Sequence, residues 1–267
     1  MGLNEVKKNI FKYRHFKSEI IILSVRWYLK YPLSYRNIAE ILFERGIKVN
    51  PSTIMRWVHE YSPILEKKIR KYLRKSNDSW RVDETYIKVK GKWTYLYRAV
   101  DSDGDTIDFY LSKTRDIKGA NSFFMKALKV SNSIHPRVIT VDKNPVYKAL
   151  IPELKNKQKL KSKVILRQVK YLNNIIEQDH RFIKKKVKYM LGFKSFKTAK
   201  KTLAGIEAMH MIKKGQIKNS IKSVLFEVQF INNILKPSIK SLYLAAIKFN
   251  CLSVFSFIAL ITTLKPF

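Results

Sequence analysis

The 267-residue chain is 46% hydrophobic and 12% aromatic, enough apolar material for a globular protein with one medium domain and a small one. Its 54 Lys and Arg against 20 Asp and Glu leave a net charge of +34, which self-repels unless a polyanion offsets it. Basic residues recur from Lys7 to Lys240 instead of forming one juxtamembrane cluster, so nucleic acid is favoured over an anionic membrane surface as partner. The single Cys251 excludes an intramolecular disulfide and zinc sites built from several thiolates, in keeping with a reducing cytoplasm.

The N-terminal stretch has no apolar run long enough for a signal-peptide core. Val6 stands where a myristoylation signal needs Ser or Thr.

From about residue 16 to 72 the pattern is helical. One candidate helix, HFKSEIIILSVRWYLKYP, ends at Pro32. In the next piece Ser34 is placed to cap a helix carrying Ile38, Ile41 and Leu42. Gly46 supplies a left-handed turn, and Asn50-Pro51 opens another helix. This is the spacing of a helix-turn-helix whose second helix enters the major groove, with Ser52, Thr53 and Arg56 facing base edges and Ile54, Trp57 and Val58 packing inward. Two short helices around a glycine also occur in any small bundle.

From Trp80 the period changes to two, with Gly91-Lys92 and Ser102-Asp103-Gly104 as turn signals, so three antiparallel strands in a meander are expected. A helix over 117–130 follows, then the β-branched run VITVD, a short helix over 147–154 and a short strand over 164–166. A helix beginning near Tyr171 and another over 197–214 come next. The order β-β-β-α-β-α-β-α predicts an α/β domain with a mixed sheet.

Three carboxylates occupy distinctive places: Asp83 in the first strand, Asp142 at the end of VITVD, and Glu177 on a basic helix. Acids converging at one sheet edge repel unless cations sit between them, and oxygen-only ligands select Mg²⁺ or Mn²⁺. Two such ions would serve an in-line phosphoryl transfer. Asn173, Glu177, Arg181, Lys184 and Lys188 form one helical stripe, so the acid lies beside cations suited to DNA phosphates. Bland readings exist for each: an i,i+4 Glu177–Arg181 pair, a turn-forming Asp142 before Asn144-Pro145, and an edge-strand Asp83 with Glu84 and Asp101 as rivals. His180 reads as a solvated helix-surface residue, and Trp57, Trp80 and Trp93 read as core rather than as base-stacking platforms.

The segments WRVDETYIKVKGKWTYLYRAVD, VITVDKNP and VKYLNNIIEQDHRFIKKKVK closely resemble the signature segments of the DDE transposases of the insertion sequence six family, bacterial mobile-element enzymes. The stretch YLKYPLSYRNIAEILFERGIKVNPSTIMRWVHEY resembles that family's helix-turn-helix, so the resemblance spans about residues 11–215. It implies an RNase H-like mixed-sheet catalytic core preceded by an all-α helix-turn-helix domain. It assigns Asp83, Asp142 and Glu177 as the acidic triad and Lys184 as the basic residue seven after the glutamate. It also implies cleavage at terminal inverted repeats, strand transfer into double-stranded target DNA, and a homodimer or larger synaptic assembly in the bacterial cytoplasm at the nucleoid.

The expected divisions are residues 1–75, 76–215 and a C-terminal extension, 216–267. The apolar tail, 238–267, departs from the family pattern. Its longest uncharged piece, 249–264, is shorter than the ~20 residues that span a bilayer. A reading from another class is a DNA-binding regulator with an inactive RNase H-like domain, for which three converging acids have no use.

Overall fold

The fold is taken from a computed structural model that describes residues 10–11, 14–130, 133–169, 174–190 and 192–236. The apolar tail and the first residues expected in the Glu177 helix, Tyr171 to Asn173, lie outside them.

Helix α1 (Ser18–Lys30) buries Ile21, Ile22, Val25 and Leu29 at helical spacing and stops ahead of Pro32. Helix α2 (Tyr35–Phe43) begins with a reciprocal cap: the Asn37 N–H donates to Ser34 Oγ (3.1 Å), and the Ser34 N–H donates to Asn37 Oδ1 (2.9 Å). Gly46 makes the turn at φ +72°, a conformation that costs glycine nothing. Asn50 then caps α3 (Pro51–Ile69) by accepting the Ser52 N–H at 2.9 Å, with Pro51 in the first turn. Ile54, Trp57 and Val58 are buried as the pattern predicted.

Strands β1 (Ser79–Val89), β2 (Lys92–Val100) and β3 (Thr106–Ser112) form the expected antiparallel meander. The first turn falls one residue earlier than the sequence suggested. Lys90 and Gly91 both have positive φ, 51° and 75°, as a two-residue primed hairpin turn requires. The second turn is organised by Asp101, whose carboxylate accepts the N–H groups of Asn77, Asp103 and Asp105 at 2.9–3.0 Å. That buried role removes Asp101 from the rival acids.

Helix α4 (Ile117–Ala127) precedes β4 (Val138–Val141), and α5 (Pro145–Asn156) precedes β5 (Ile165–Gln168). Helices α6 (Asn174–Tyr189), α7 (Phe196–Lys213) and α8 (Val224–Leu235) follow. The last was not anticipated; Ser223 caps it by accepting the Phe226 N–H at 3.0 Å. The sheet order is β3-β2-β1-β4-β5, with β4 parallel to both β1 and β5. This is the mixed α/β, RNase H-like arrangement that was expected.

Alternation along the strands divides the sheet's two faces. Trp80, Val82, Tyr97, Ala99, Ile139 and Val141 pack with Phe123 and Phe124 of α4 and with Tyr147 and Leu150 of α5. Each such large side chain contributes ~1.5–3 kcal/mol by leaving water. On the other face Ile87, Val89, Leu96, Phe109 and Leu111 join Ile183 of α6, Leu203 of α7 and the N-terminal helices in one continuous apolar cluster. Trp93 departs from expectation: it is 57% exposed at the hairpin end, whereas Trp57 and Trp80 are core.

Candidate active site

Asp83 belongs to the strand set Arg81, Asp83, Thr85, Ile87, whose side chains point away from the Trp80–Val82 core toward α6 and α7. Strand β1 is central in the sheet, not an edge. Its parallel pairing with β4 ends at Arg81↔Thr140. Continuing that register by two residues sets Asp83 beside Asp142 on the same face, on strands about 4.8 Å apart. Helix α6 packs across β1, and Glu177 on it is near enough for its charge to act on Asp83.

The electrostatics match this placement. Asp83 is largely buried and its carboxyl is pushed up to about 7, first by loss of water, then by the charge of Glu84, with Asp142 and Glu177 adding to the rise. Asp142 is also raised, with burial first and Glu84 next among the causes that lift it, while the Asn144 N–H and Arg115 oppose them. Glu177 is exposed. The i,i+4 salt bridges among the described residues are Glu66–Arg70 and Glu153–Lys157, so the bland Glu177–Arg181 pair is not made.

Glu84 points the opposite way from Asp83 and is engaged on every side. It accepts from the Tyr147 hydroxyl (2.7 Å), the Asn144 side-chain amide (3.0 Å) and the Arg115 guanidinium. Arg115, which no local pattern singled out, also lies 3.3 Å from Asp142 Oδ2 and 3.3 Å from the Tyr86 hydroxyl. One cation thus ties a buried structural acid to a site acid.

His180 was expected on the surface, and the structure buries it: it is 3% exposed, with Nδ1 3.6 Å from Asp83 Oδ2. Burial, reinforced by Arg98, lowers its pKa to about 3, so the imidazole is neutral and the contact is not an ion pair. Position 180 lies three residues beyond Glu177, one helical turn along the same face; that periodicity was the available signal.

Beneath the acids is a second charged cluster that the sequence did not suggest. Arg98, fully buried in β2, donates to both carboxylate oxygens of Glu207 in α7 at 2.7 and 2.9 Å, and stands 2.6 Å from Asp179 in α6. Asp179 also pairs with His210 at 2.7 Å and with Lys214 at 3.0 Å. Its carboxyl is held far below the usual range by Arg98 and by these two partners, against the opposing effect of burial. The network fixes α6 against β2 and α7, two residues beyond Glu177.

Of the candidate DNA-reading residues, Ser52 and Arg56 are exposed and Thr53 is half-buried at the start of α3. The Ser52 hydroxyl already donates to Asn50 Oδ1 at 2.8 Å. Helix α3 packs mainly on α7, α1 and α2, so these residues form a group separate from the acids. Arg181, Lys184 and Lys188 are exposed on α6, four, seven and eleven residues beyond Glu177.

Among the described residues, no three acids or histidines stand close enough to hold a metal ion as they are. The chemistry of the donors nevertheless fits a hard divalent cation: all are carboxylate oxygens, and like charges raise Asp83. No helix among the described residues is long and apolar enough to cross a membrane.

Residues 77–216 match the family described as the DDE domain. The chain is 45% identical over 207 residues to the transposase for insertion sequence-like element IS431mec of Staphylococcus aureus, covering 77% of this chain and 89% of that protein. The transposase for insertion sequence element IS257 in transposon Tn4003 of the same species is 44% identical over the same shares. Among solved structures, the HTLV-2 integrase catalytic core domain is a distant likeness, with a TM-score of 0.40 at 18% identity over 49% of this chain and 84% of that one. The chain belongs to the DDE transposases of the insertion sequence six family.

Proposed function

We propose that this transposase uses Asp83, Asp142 and Glu177 as one acidic unit for Mg²⁺, with Mn²⁺ as a substitute and two ions in the working enzyme. In this reading it cuts DNA at the element's terminal inverted repeats and joins the cut strand to target DNA. The observation that supports the reading is the parallel β1–β4 register, which, extended two residues past Arg81↔Thr140, brings Asp83 opposite Asp142, together with the charges of Asp142 and Glu177 acting on Asp83. Bound ions would supply activation of the attacking oxygen and stabilisation of the leaving oxygen.

The chain's own side chains do the rest. Arg115 holds Asp142 and offsets part of its charge. Neutral His180 covers Asp83 from α6 and keeps water from its buried side. Arg181, Lys184 and Lys188 run along the exposed helix face and suit the phosphates of the DNA being cut. The N-terminal helices, residues 1–75, serve as the DNA-reading part, with Ser52, Thr53 and Arg56 toward base edges. Residues 76–215 form the catalytic part, and 216–267 are a C-terminal extension whose α8 packs on α1 and α3. Bringing two element ends together calls for a dimer or larger assembly.

The test is cleavage of a labelled terminal-repeat duplex by wild type, Asp83→Asn, Asp142→Asn and Glu177→Gln. Each amide removes one negative ligand and should abolish cutting while duplex binding survives. A variant that keeps wild-type cutting removes its residue from the site, and activity persisting in a chelator rejects the metal mechanism.

A further inference from the structure

We propose that the flank of the β1–β2 hairpin between Arg81 and Val89, where Phe193 takes up the backbone pairing, is a seat for unpaired DNA strand leading away from the acids. The inference rests on the transposase reading and adds a ligand class to it. Strand β4 accompanies β1 only as far as Arg81. Beyond it, the hairpin and α6 stand across a cleft of about 630 Å³.

Two aromatic rings line this cleft where a folded core would have hidden them: Trp93 is 57% exposed and Tyr86 47%. They meet edge to face at 6.2 Å, and Tyr86 is braced by Tyr95 at 5.3 Å, so the rings form a supported shelf. Lys88 and Lys90 from the hairpin and Lys184 and Lys188 from α6 add four ammonium groups, and no Asp or Glu lines the cleft among the described residues. The Lys88 ammonium lies 5.2 Å from the Trp93 ring centre. The shelf begins at the acids, because the Tyr86 hydroxyl and Asp142 are both within 3.3 Å of Arg115.

Exposed flat rings among unopposed cations match a ligand that is itself a chain of flat rings and anions. Single-stranded DNA is that ligand: its bases stack on aromatic side chains while its phosphates take the lysines. A duplex offers phosphates alone, since its base faces are already stacked. The two ligands therefore separate the contribution of the rings from that of the charges.

The experiment uses the full chain in a chelator at fixed salt and measures fluorescence anisotropy of a labelled oligothymidylate of about 20 nucleotides and of a duplex of equal length. Trp93→Ala should weaken single-strand binding roughly tenfold and change duplex binding by less than about twofold. Tyr86→Ala should show the same selectivity, Trp93→Phe should retain most of the affinity, and unlabelled oligothymidylate should quench tryptophan emission in wild type but not in Trp93→Phe. Equal losses on both ligands, or no loss on either in the alanine variants, overturn the proposal. A failure of the catalytic reading would appear in cleavage and leave this measurement unchanged.

Discussion

Helix α6 borders two carboxylates, Asp179 and Asp83, whose electrostatics run in opposite directions. Asp179 is held far below the usual range by Arg98, His210 and Lys214; Asp83, the cross-strand neighbour of Arg98, is pushed up by burial and by the charge of Glu84, with a neutral histidine beside it. The first arrangement is what a buried charge needs in order to stay charged, and the second leaves a need that a cation would meet. In the proposed reading, the ion-paired acid holds elements together, and the raised one belongs to the cation site.

Breaking the completed cluster should have the largest effect on stability. Glu207→Ala leaves the fully buried Arg98 without its two-oxygen partner and should cost ~3–5 kcal/mol in urea denaturation. A loss below about 1 kcal/mol would mean that Asp179 alone satisfies the arginine.

The incomplete cluster should behave in the opposite sense. Asp83 titrates at about 7 in the folded protein against a reference of 3.8, so between those values the folded state holds a proton that the unfolded chain releases. Stability contributed by this group is therefore lost as pH rises from about 4 through 7, and the penalty is constant above that. In a chelator, Asp83→Asn should stabilise the protein by up to about 4 kcal/mol at pH 8 and by little near pH 4. Mg²⁺ should narrow the gap by stabilising wild type alone. Melting temperatures across pH would test this, and a pH-independent difference would contradict it.

The smallest change is expected at the exposed member of the triad. Glu177→Gln should alter stability by no more than about 0.5 kcal/mol, although the same variant should lose cleavage. A substantial destabilisation would make Glu177 a structural acid, like Asp179 two residues away.

How much of this was legible follows the range of the forces involved. The positions of Asp83 on β1, Asp142 just after β4 and Glu177 on α6 were readable because strand alternation, a strand end and a helical stripe are local patterns, and the caps at Ser34 and Asn50 were readable for the same reason. Arg98, Asp179 and Glu207 were not singled out, since nothing local reveals that β2, α6 and α7 meet at one buried point. His180 followed the same error: a histidine beside an aspartate in a basic helix looks wet until β1 is placed against it. Trp93 failed in reverse. Its apolar character suggested burial, but it lies at the exposed hairpin end, beyond the last β1–β4 pair. Helix α8 went unanticipated, and its buried Glu227 is paired with Arg26 and Lys30 of α1, again a partner far away in sequence.

The central claim, that the three acids form one cation site, is tested most directly by Mn²⁺ titration of the full chain bound to a terminal-repeat duplex, followed through the electron paramagnetic resonance signal of free Mn²⁺. Wild type should take up Mn²⁺ that Mg²⁺ displaces, and Asp83→Asn, Asp142→Asn and Glu177→Gln should each lose most of that uptake while still binding the duplex. Uptake in Asp83→Asn equal to that of wild type would contradict the account.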